Sequence, residues 1–310
     1  MKGKVVFMGT PTFAVPSLKA LEEKGFSIVG VVTQPDRKRG RGKKTAPTPV
    51  KEAALKMGLP VFQPLDPNAT AFLQQLKRLS PDVVITVAFG HLLKEQLLTL
   101  PSEGCLNVHA SLLPKYRGAA PIAWAILKGE TVTGVTIMKM DAGLDTGPIL
   151  AQRETPIHPH DTTETLSERL SKIGADLLVE TLEKWLNKEI IPSPQNQSLA
   201  TYAPPLQKKD GKIDWTKPAL EIERQIRAMT PWPGAFTTID NKNLKIFRAE
   251  VTKIQKDLRP GQALVTDNEW LTATGSGALR VLEIQLEGKK RQNIQTFLKG
   301  FKKRGTITLQ

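Results

Sequence analysis

Lys4-Val5-Val6-Phe7-Met8-Gly9-Thr10-Pro11 decides how the first half of the chain is read. Four apolar residues follow Lys4 without polar alternation, and a Gly-Thr-Pro turn stops them, which predicts a short strand buried on both faces. Helical spacing comes next at Phe13, Leu18 and Leu21, and then a second apolar run from Ile28 to Thr33. Val83 to Ala88, Cys105 to Val108 and Gly134 to Met140 supply further strands. Buried strands alternating with helices predict an α/β fold, a Rossmann-like parallel sheet covered on both sides. A helix is predicted over 162–187 from the stripe Leu166, Leu170, Ile173, Leu177, Leu178, Leu182 and Trp185, with Asp161 and Glu164 at capping-box spacing.

The pattern then changes. Residues 190–207 hold the polar, Pro-rich stretch Ile191-Pro192-Ser193-Pro194-Gln195-Asn196-Gln197-Ser198 and read as a linker. Beyond it come short alternating runs at 244–247, 262–265, 270–273 and 279–286, separated by Gly, Asn or Asp turns, which predict a small β-barrel. The expected division is therefore 1–189, a linker at 190–207, and a β-rich domain at 208–310.

Charge and cysteine content narrow the function. The 310 residues carry 44 Lys and Arg against 30 Asp and Glu, a net charge of +14. Residues 208–310 hold 20 of the basic and 11 of the acidic residues, a net +9. A second basic cluster, Arg37, Lys38, Arg39, Arg41, Lys43 and Lys44, includes Gly40 and Gly42 and reads as a mobile loop. Two basic regions in one chain point to a polyanionic partner. The single cysteine, Cys105, excludes an intrachain disulfide and a multi-cysteine zinc cluster, and it fits a reducing cytosol. The apolar run Val83 to Phe89, broken by Thr86, is far short of a membrane span. The opening residues do not read as a signal peptide, so a cytoplasmic protein is expected. Nothing in the sequence calls for more than a monomer.

Gly9-Thr10-Pro11 fails the dinucleotide fingerprint, since Pro11 and Ala14 stand where the second and third glycines belong. The informative stretch is Asn107-Val108-His109-Ala110-Ser111-Leu112-Leu113-Pro114-Lys115-Tyr116-Arg117-Gly118. Asn107 and His109 lie two apart at a strand end, so their side chains point the same way. An Asn amide can donate to a developing oxyanion, and a neutral His can take a proton. Met140-Asp141-Ala142-Gly143-Leu144-Asp145-Thr146-Gly147 follows another strand and adds two acids in a turn, with Gly143 and Gly147 open to close approach by a flat ligand. His158-Pro159-His160 precedes a helix cap with no cysteine near it and reads as a surface loop rather than a metal site.

Asn-x-His with Ser-Leu-Leu-Pro and a later Leu-Asp-x-Gly resembles the 10-formyltetrahydrofolate-dependent formyltransferases. The likeness is greatest to the methionyl-tRNA formyltransferase family. It is carried by Phe7 to Pro11, by Thr33-Gln34-Pro35-Asp36-Arg37 with Gly40 to Lys44, by Tyr116 to Ile122, by Ile213-Asp214-Trp215 and by Pro231-Trp232-Pro233-Gly234. The resemblance implies formyl transfer from 10-formyltetrahydrofolate to the amino group of initiator methionyl-tRNA, with no metal. It implies catalytic roles for Asn107, His109 and Asp145. It implies a folate site at Phe89, Gly90, Leu92, Ser111, Leu112, Leu113, Pro114 and Asp141. Gly9, Thr10, Pro11 and Phe13 would receive the methionyl end, and Arg41 the acceptor arm. Two alternatives stay open: a folate formyltransferase acting on a small amine, and a non-enzymatic RNA-binding protein on an enzyme scaffold.

Overall fold

The computed structural model describes residues 3–39, 44–253 and 257–310. The first strand, β1 (Lys4–Gly9), is buried from Val5 onward because it has parallel neighbours on both sides. The strands that follow in chain order are β2 (Ser27–Val32), β3 (Arg37–Arg39), β4 (Lys44–Ala46), β5 (Val61–Phe62), β6 (Val83–Val87), β7 (Cys105–His109), β8 (Arg117–Gly118), β9 (Val132–Lys139), β10 (Ile149–Pro156) and β11 (Tyr202–Ala203). Seven of them form one sheet in the order β10-β9-β7-β6-β1-β2-β5. The helices are α1 (Val15–Glu23), α2 (Pro49–Lys56), α3 (Thr70–Leu79), α4 (Glu95–Leu98), α5 (Pro121–Lys128) and α6 (Thr163–Leu186).

The chain lays β1, β2 and β5 outward in one direction, then returns to place β6 and β7 on the other side of β1. Such a reversal leaves a crevice beyond the carboxyl ends of the strands, where open α/β sheets bind ligands. On one face Val6, Met8, Val84 and Cys105 join a core with Phe72 and Leu76 of α3 and with Phe89. On the other face α6 comes close at Gly174, where an added Cβ would lie 2.9 Å from a Val108 methyl. Cys105, Asn107 and His109 therefore share the α3 side of β7, and Val108 faces α6.

Three features depart from the sequence reading. β9 was expected in a parallel sheet, yet it runs antiparallel to β7, and β10 runs antiparallel to β9. Hydrophobic pattern carries no information on strand direction, so only the pairing reveals this. The cap of α6 sits one residue later than expected: Thr162 and Thr165 hydrogen-bond reciprocally at 3.0 and 3.3 Å, while Asp161 accepts from the His158 amide. The basic segment is in part a hairpin, with β3 and β4 paired antiparallel; Arg41 lies outside the described residues.

The chain divides into two compact units that interleave in sequence. The first comprises Met1–Pro121, Val132–Pro156 and Ser167–Pro204, and the second Ile122–Thr131, Ile157–Leu166 and Pro205–Gln310. Much of the stretch read as a linker is held within the first unit. Ser193 and Ile149 exchange two backbone hydrogen bonds at 2.8 and 2.9 Å, and β11 pairs in parallel with β8.

In the second unit α7 (Ala219–Ala228) precedes an antiparallel sheet built from β12 (Ala235–Ile239), β13 (Lys242–Thr252), β14 (Gln262–Val265), β15 (Trp270–Ala273), β16 (Ala278–Leu286), β17 (Gln292–Asn293) and β18 (Gly305–Thr308), with α8 (Ile294–Gly300) before the last strand. The path β12-β13-β16-β15-β14-β18 curls until Thr238 and Gln310 exchange backbone hydrogen bonds at 2.8 and 3.0 Å, which brings its two ends together as a barrel. Asp240 and Asn241 both take positive φ in the β12–β13 turn, as a tight two-residue hairpin requires. Trp270, fully buried, meets Phe297 and Phe301 with ring centroids 6.1 and 5.4 Å away.

Candidate active site

Asn107 and His109 end β7, beside the crevice between β1 and β6. The Asn107 Oδ1 accepts from the Thr86 hydroxyl at 2.9 Å. That bond fixes the amide, so its Nδ2 points outward, with Asp145 Oδ1 at 3.4 Å. His109 is 5% exposed. Its Nε2 lies 2.9 Å from the Tyr116 carbonyl, which can only accept, so Nε2 carries a hydrogen. Nδ1 is left as the nitrogen that gains or loses a proton, and it faces Asp145 Oδ2 at 3.7 Å.

Asp145 reaches this position by an unusual path. Because β9 runs antiparallel to β7, the loop after it departs next to Cys105, whose carbonyl accepts from Met140 N. The loop must double back to bring Asp145 to Asn107 and His109. Gly147 makes this possible, since a Cβ there would lie 1.9 Å from the Lys139 carbonyl oxygen. A Cβ on Gly143 would lie 2.0 Å from the Thr146 hydroxyl. Both glycines thus relieve crowding inside their own loop, where the sequence had suggested room for a ligand. Asp141 braces the same loop, its Oδ1 accepting from Gly143 N at 3.0 Å and from the Thr146 hydroxyl at 2.6 Å. Asp145 itself sits at φ 52, a left-handed conformation that costs a residue with a Cβ roughly 1–2 kcal/mol. Its Oδ2 accepts from Gly118 N at 2.8 Å.

Three residues to which the sequence reading gives no role complete this arrangement. Gln195 Nε2 donates to the carbonyls of Asp145 and Gly147 at 2.9 and 2.7 Å. Its Oε1 accepts from Arg117 Nε and Nη2 at 3.1 and 2.7 Å, and Arg117 Nη1 donates to Gln197 Oε1 at 2.8 Å. Arg117 is 1% exposed. A buried guanidinium is costly unless its donors are satisfied, and here three of its nitrogens meet amide oxygens. No local motif announces the pairing, because the partners lie 78 residues apart in the chain.

The remaining expected site residues fall into three groups. Thr10, after β1, donates from its hydroxyl to the Phe89 carbonyl at 3.1 Å, and Gln34 Nε2 donates to the same oxygen at 3.0 Å. These bonds tie the loops after β1 and β2 to the loop after β6. Gly90, in the loop after β6, has φ 83, and a Cβ there would lie 2.6 Å from Gln34 Nε2. Gly9 is buried at the strand end, Phe13 is half-buried, and Pro11 and Leu92 are exposed. Ser111 and Leu113 are buried, and their polar atoms are engaged within their own loop and with β9. The Ser111 hydroxyl donates to the Lys115 carbonyl at 2.6 Å, and Leu113 N donates to the Thr136 hydroxyl at 3.1 Å. Leu112 packs over Gly134, and Pro114 is half-buried.

Asn107, His109 and Asp145 thus present a fixed amide donor, a histidine with one defined basic nitrogen, and a carboxylate set to pair with that nitrogen once it is protonated. This set suits transfer of a carbonyl group to an amine. Among the described residues no three His, Cys, Asp or Glu side chains converge in a metal-binding arrangement.

Comparison with known proteins agrees with this chemistry. Residues 2–182 match the formyl transferase model, and residues 205–302 match the formyl transferase C-terminal domain. A methionyl-tRNA formyltransferase of Caldanaerobacter subterraneus subsp. tengcongensis is 50% identical over 298 residues, which is 96% of each chain. Among solved structures, the N-formyltransferase of Helicobacter canadensis in complex with folinic acid and dTDP-3-aminofucose superposes with a TM-score of 0.69 at 22% identity, over 91% of this chain and 99% of that one. The methionyl-tRNA formyltransferase of Clostridium thermocellum gives a TM-score of 0.59 at 18% identity, over 81% of this chain and 94% of that one. The two structures share the fold, and the sequence matches span nearly the whole chain: the protein belongs to the formyl transferase family.

Proposed function

We infer that this chain transfers a formyl group from 10-formyltetrahydrofolate to the amino group of initiator methionyl-tRNA. The observation that carries the reaction class is the His109 geometry: Nε2–H is committed to Tyr116, and Nδ1 faces the carboxylate of Asp145. The observation that carries the acceptor is 50% identity to a methionyl-tRNA formyltransferase over 96% of both chains. The basic surplus of residues 208–310 fits an RNA partner.

A reduced folate suits the loops around this centre. Leu92 and Leu144, 73% and 49% exposed, stand on the loops after β6 and β9 and offer apolar surface to a flat ring. Backbone at Phe89, Gly90 and Asp141 to Asp145 would bind the ring's polar edge. The folate supplies a formyl group on nitrogen, ready for an incoming amine. The residues then divide the work. Asn107 Nδ2 donates to the formyl oxygen as it gains negative charge. His109 Nδ1 accepts the proton that the attacking amine loses, and the same proton balances the nitrogen that departs with the folate. Asp145 stabilises the imidazolium in between. Gly9, Thr10, Pro11 and Phe13 line the approach for the methionyl end, and Arg41 receives the acceptor arm.

The salt dependence of catalysis tests the RNA part of this reading. KM for methionyl-tRNA should rise steeply between 50 and 200 mM salt (about tenfold or more), because phosphate contacts release counterions. A flat response would point to a small-molecule acceptor.

A further inference from the structure

We propose that Gln195 is a positioning residue for catalysis, holding the Asp145 turn in the shape that aims its carboxylate at His109. The inference rests on the formyl-transfer reading above. Gln195 lies in the stretch between the two matched family segments, 2–182 and 205–302, so family membership alone assigns it nothing.

Residues 141–144 are exposed, and Asp145 is held in a left-handed conformation that its own loop does not favour. One amide nitrogen bridges two carbonyls of this turn, that of Asp145 itself and that of Gly147. That nitrogen belongs to Gln195, a side chain 7% exposed. The other end of the same amide is gripped by two nitrogens of the buried Arg117. Because a guanidinium can only donate, it forces the Gln195 oxygen inward and the Gln195 NH2 toward the turn. The amide orientation is therefore set by chemistry, and a glutamate there would present an acceptor to two acceptors. Arg117 also precedes Gly118, whose amide donates directly to Asp145 Oδ2. One short segment thus holds the carboxylate from the front and, through Gln195, its backbone from behind.

A side chain acting only through Asp145 loses its effect when Asp145 no longer carries a carboxylate. The test uses the full chain with Gln195→Leu, Gln195→Glu, Asp145→Asn and the double variant Gln195→Leu with Asp145→Asn. Gln195→Glu keeps the grip of Arg117 and replaces the bridging donor with an acceptor that repels both carbonyls, so it answers for folding where Gln195→Leu is damaged. The expected result is a kcat at least tenfold lower for both Gln195 variants with KM for the folate donor and methionyl-tRNA within about threefold, and no more than about a twofold further loss when Gln195→Leu is added to Asp145→Asn. Hydrogen–deuterium exchange over residues 140–148 should quicken in both Gln195 variants while the exchange of β1 and β6 stays unchanged. Losses that multiply in the double variant, or kcat within twofold of the parent in the single variants, overturn the proposal. If the parent chain transfers no formyl group to methionyl-tRNA, the functional reading fails by itself. The exchange experiment then decides on its own whether Gln195 holds the turn, and unchanged exchange refutes that.

Discussion

Replacing Asp145 with Asn removes one negative charge and almost no volume. The Asp145 Oδ2 lies 3.7 Å from His109 Nδ1, and the two side chains are 14% and 6% exposed. Two unit charges at that separation attract by roughly 4 kcal/mol at an effective dielectric of about 20, and by roughly 1 kcal/mol in bulk water. In the proposed mechanism this attraction exists only while His109 carries the proton taken from the amine, so it would act on the transition state and not on substrate binding. At about 1.4 kcal/mol per tenfold in rate, the limits are about sixfold and about a thousandfold. The low exposure places the expected value near a hundredfold. The assay is steady-state formylation of methionyl-tRNA at saturating folate donor, with a thermal melt as control for folding. Asp145→Asn should lower kcat about a hundredfold and leave KM for both substrates within about threefold. A variant with more than half the parent kcat would refute the charge-pairing argument, and a large rise in KM with kcat intact would make Asp145 a binding residue instead.

Three further outcomes follow from the structure. His109→Ala should keep methionyl-tRNA affinity, measured by equilibrium binding, and lose at least roughly a hundredfold in turnover; full turnover would remove His109 from the reaction. Cys105 is 1% exposed, and burial pushes its thiol from an ordinary value of 9.0 up to about 12. The raised value means that the native state holds the proton longer than the unfolded chain, so stability on this account is complete below pH 9 and declines as pH rises toward 12. The native chain should resist iodoacetamide at pH 8.5, and Cys105→Ala should flatten the alkaline loss of stability; rapid labelling of the folded protein would contradict this. Gly134→Ala places a methyl 2.2 Å from the Arg153 carbonyl oxygen and 2.6 Å from a Leu112 methyl, so denaturant unfolding should register a loss of about 1–3 kcal/mol.

The sheet was legible because its central strands are buried on both faces and therefore read as unbroken apolar runs, β1 most plainly. Asn107 and His109 were legible because two polar side chains two residues apart interrupt such a run at its end. What the sequence hid was direction and distance. Nothing in Gly134 to Met140 says that β9 is antiparallel, and that single fact decides that the 141–147 loop must double back and that Gly143 and Gly147 serve the loop itself. The α6 cap was displaced by one residue because Asp161 and Thr162 are both good capping residues, and tertiary geometry selected Thr162. Gln195 was passed over because a polar, Pro-rich stretch reads as linker by composition. Its partners, Arg117 and the Asp145 turn, lie 78 and 50 residues away.

The most direct measurement offers methionyl-tRNA, free methionine and a small phosphorylated amine side by side to the purified chain with 10-formyltetrahydrofolate, and follows formyl transfer to each. The account predicts transfer to methionyl-tRNA alone. Transfer to the small amine instead would keep Asn107, His109 and Asp145 as the reacting centre and contradict the RNA acceptor, and transfer to none of the three would contradict the account at its root.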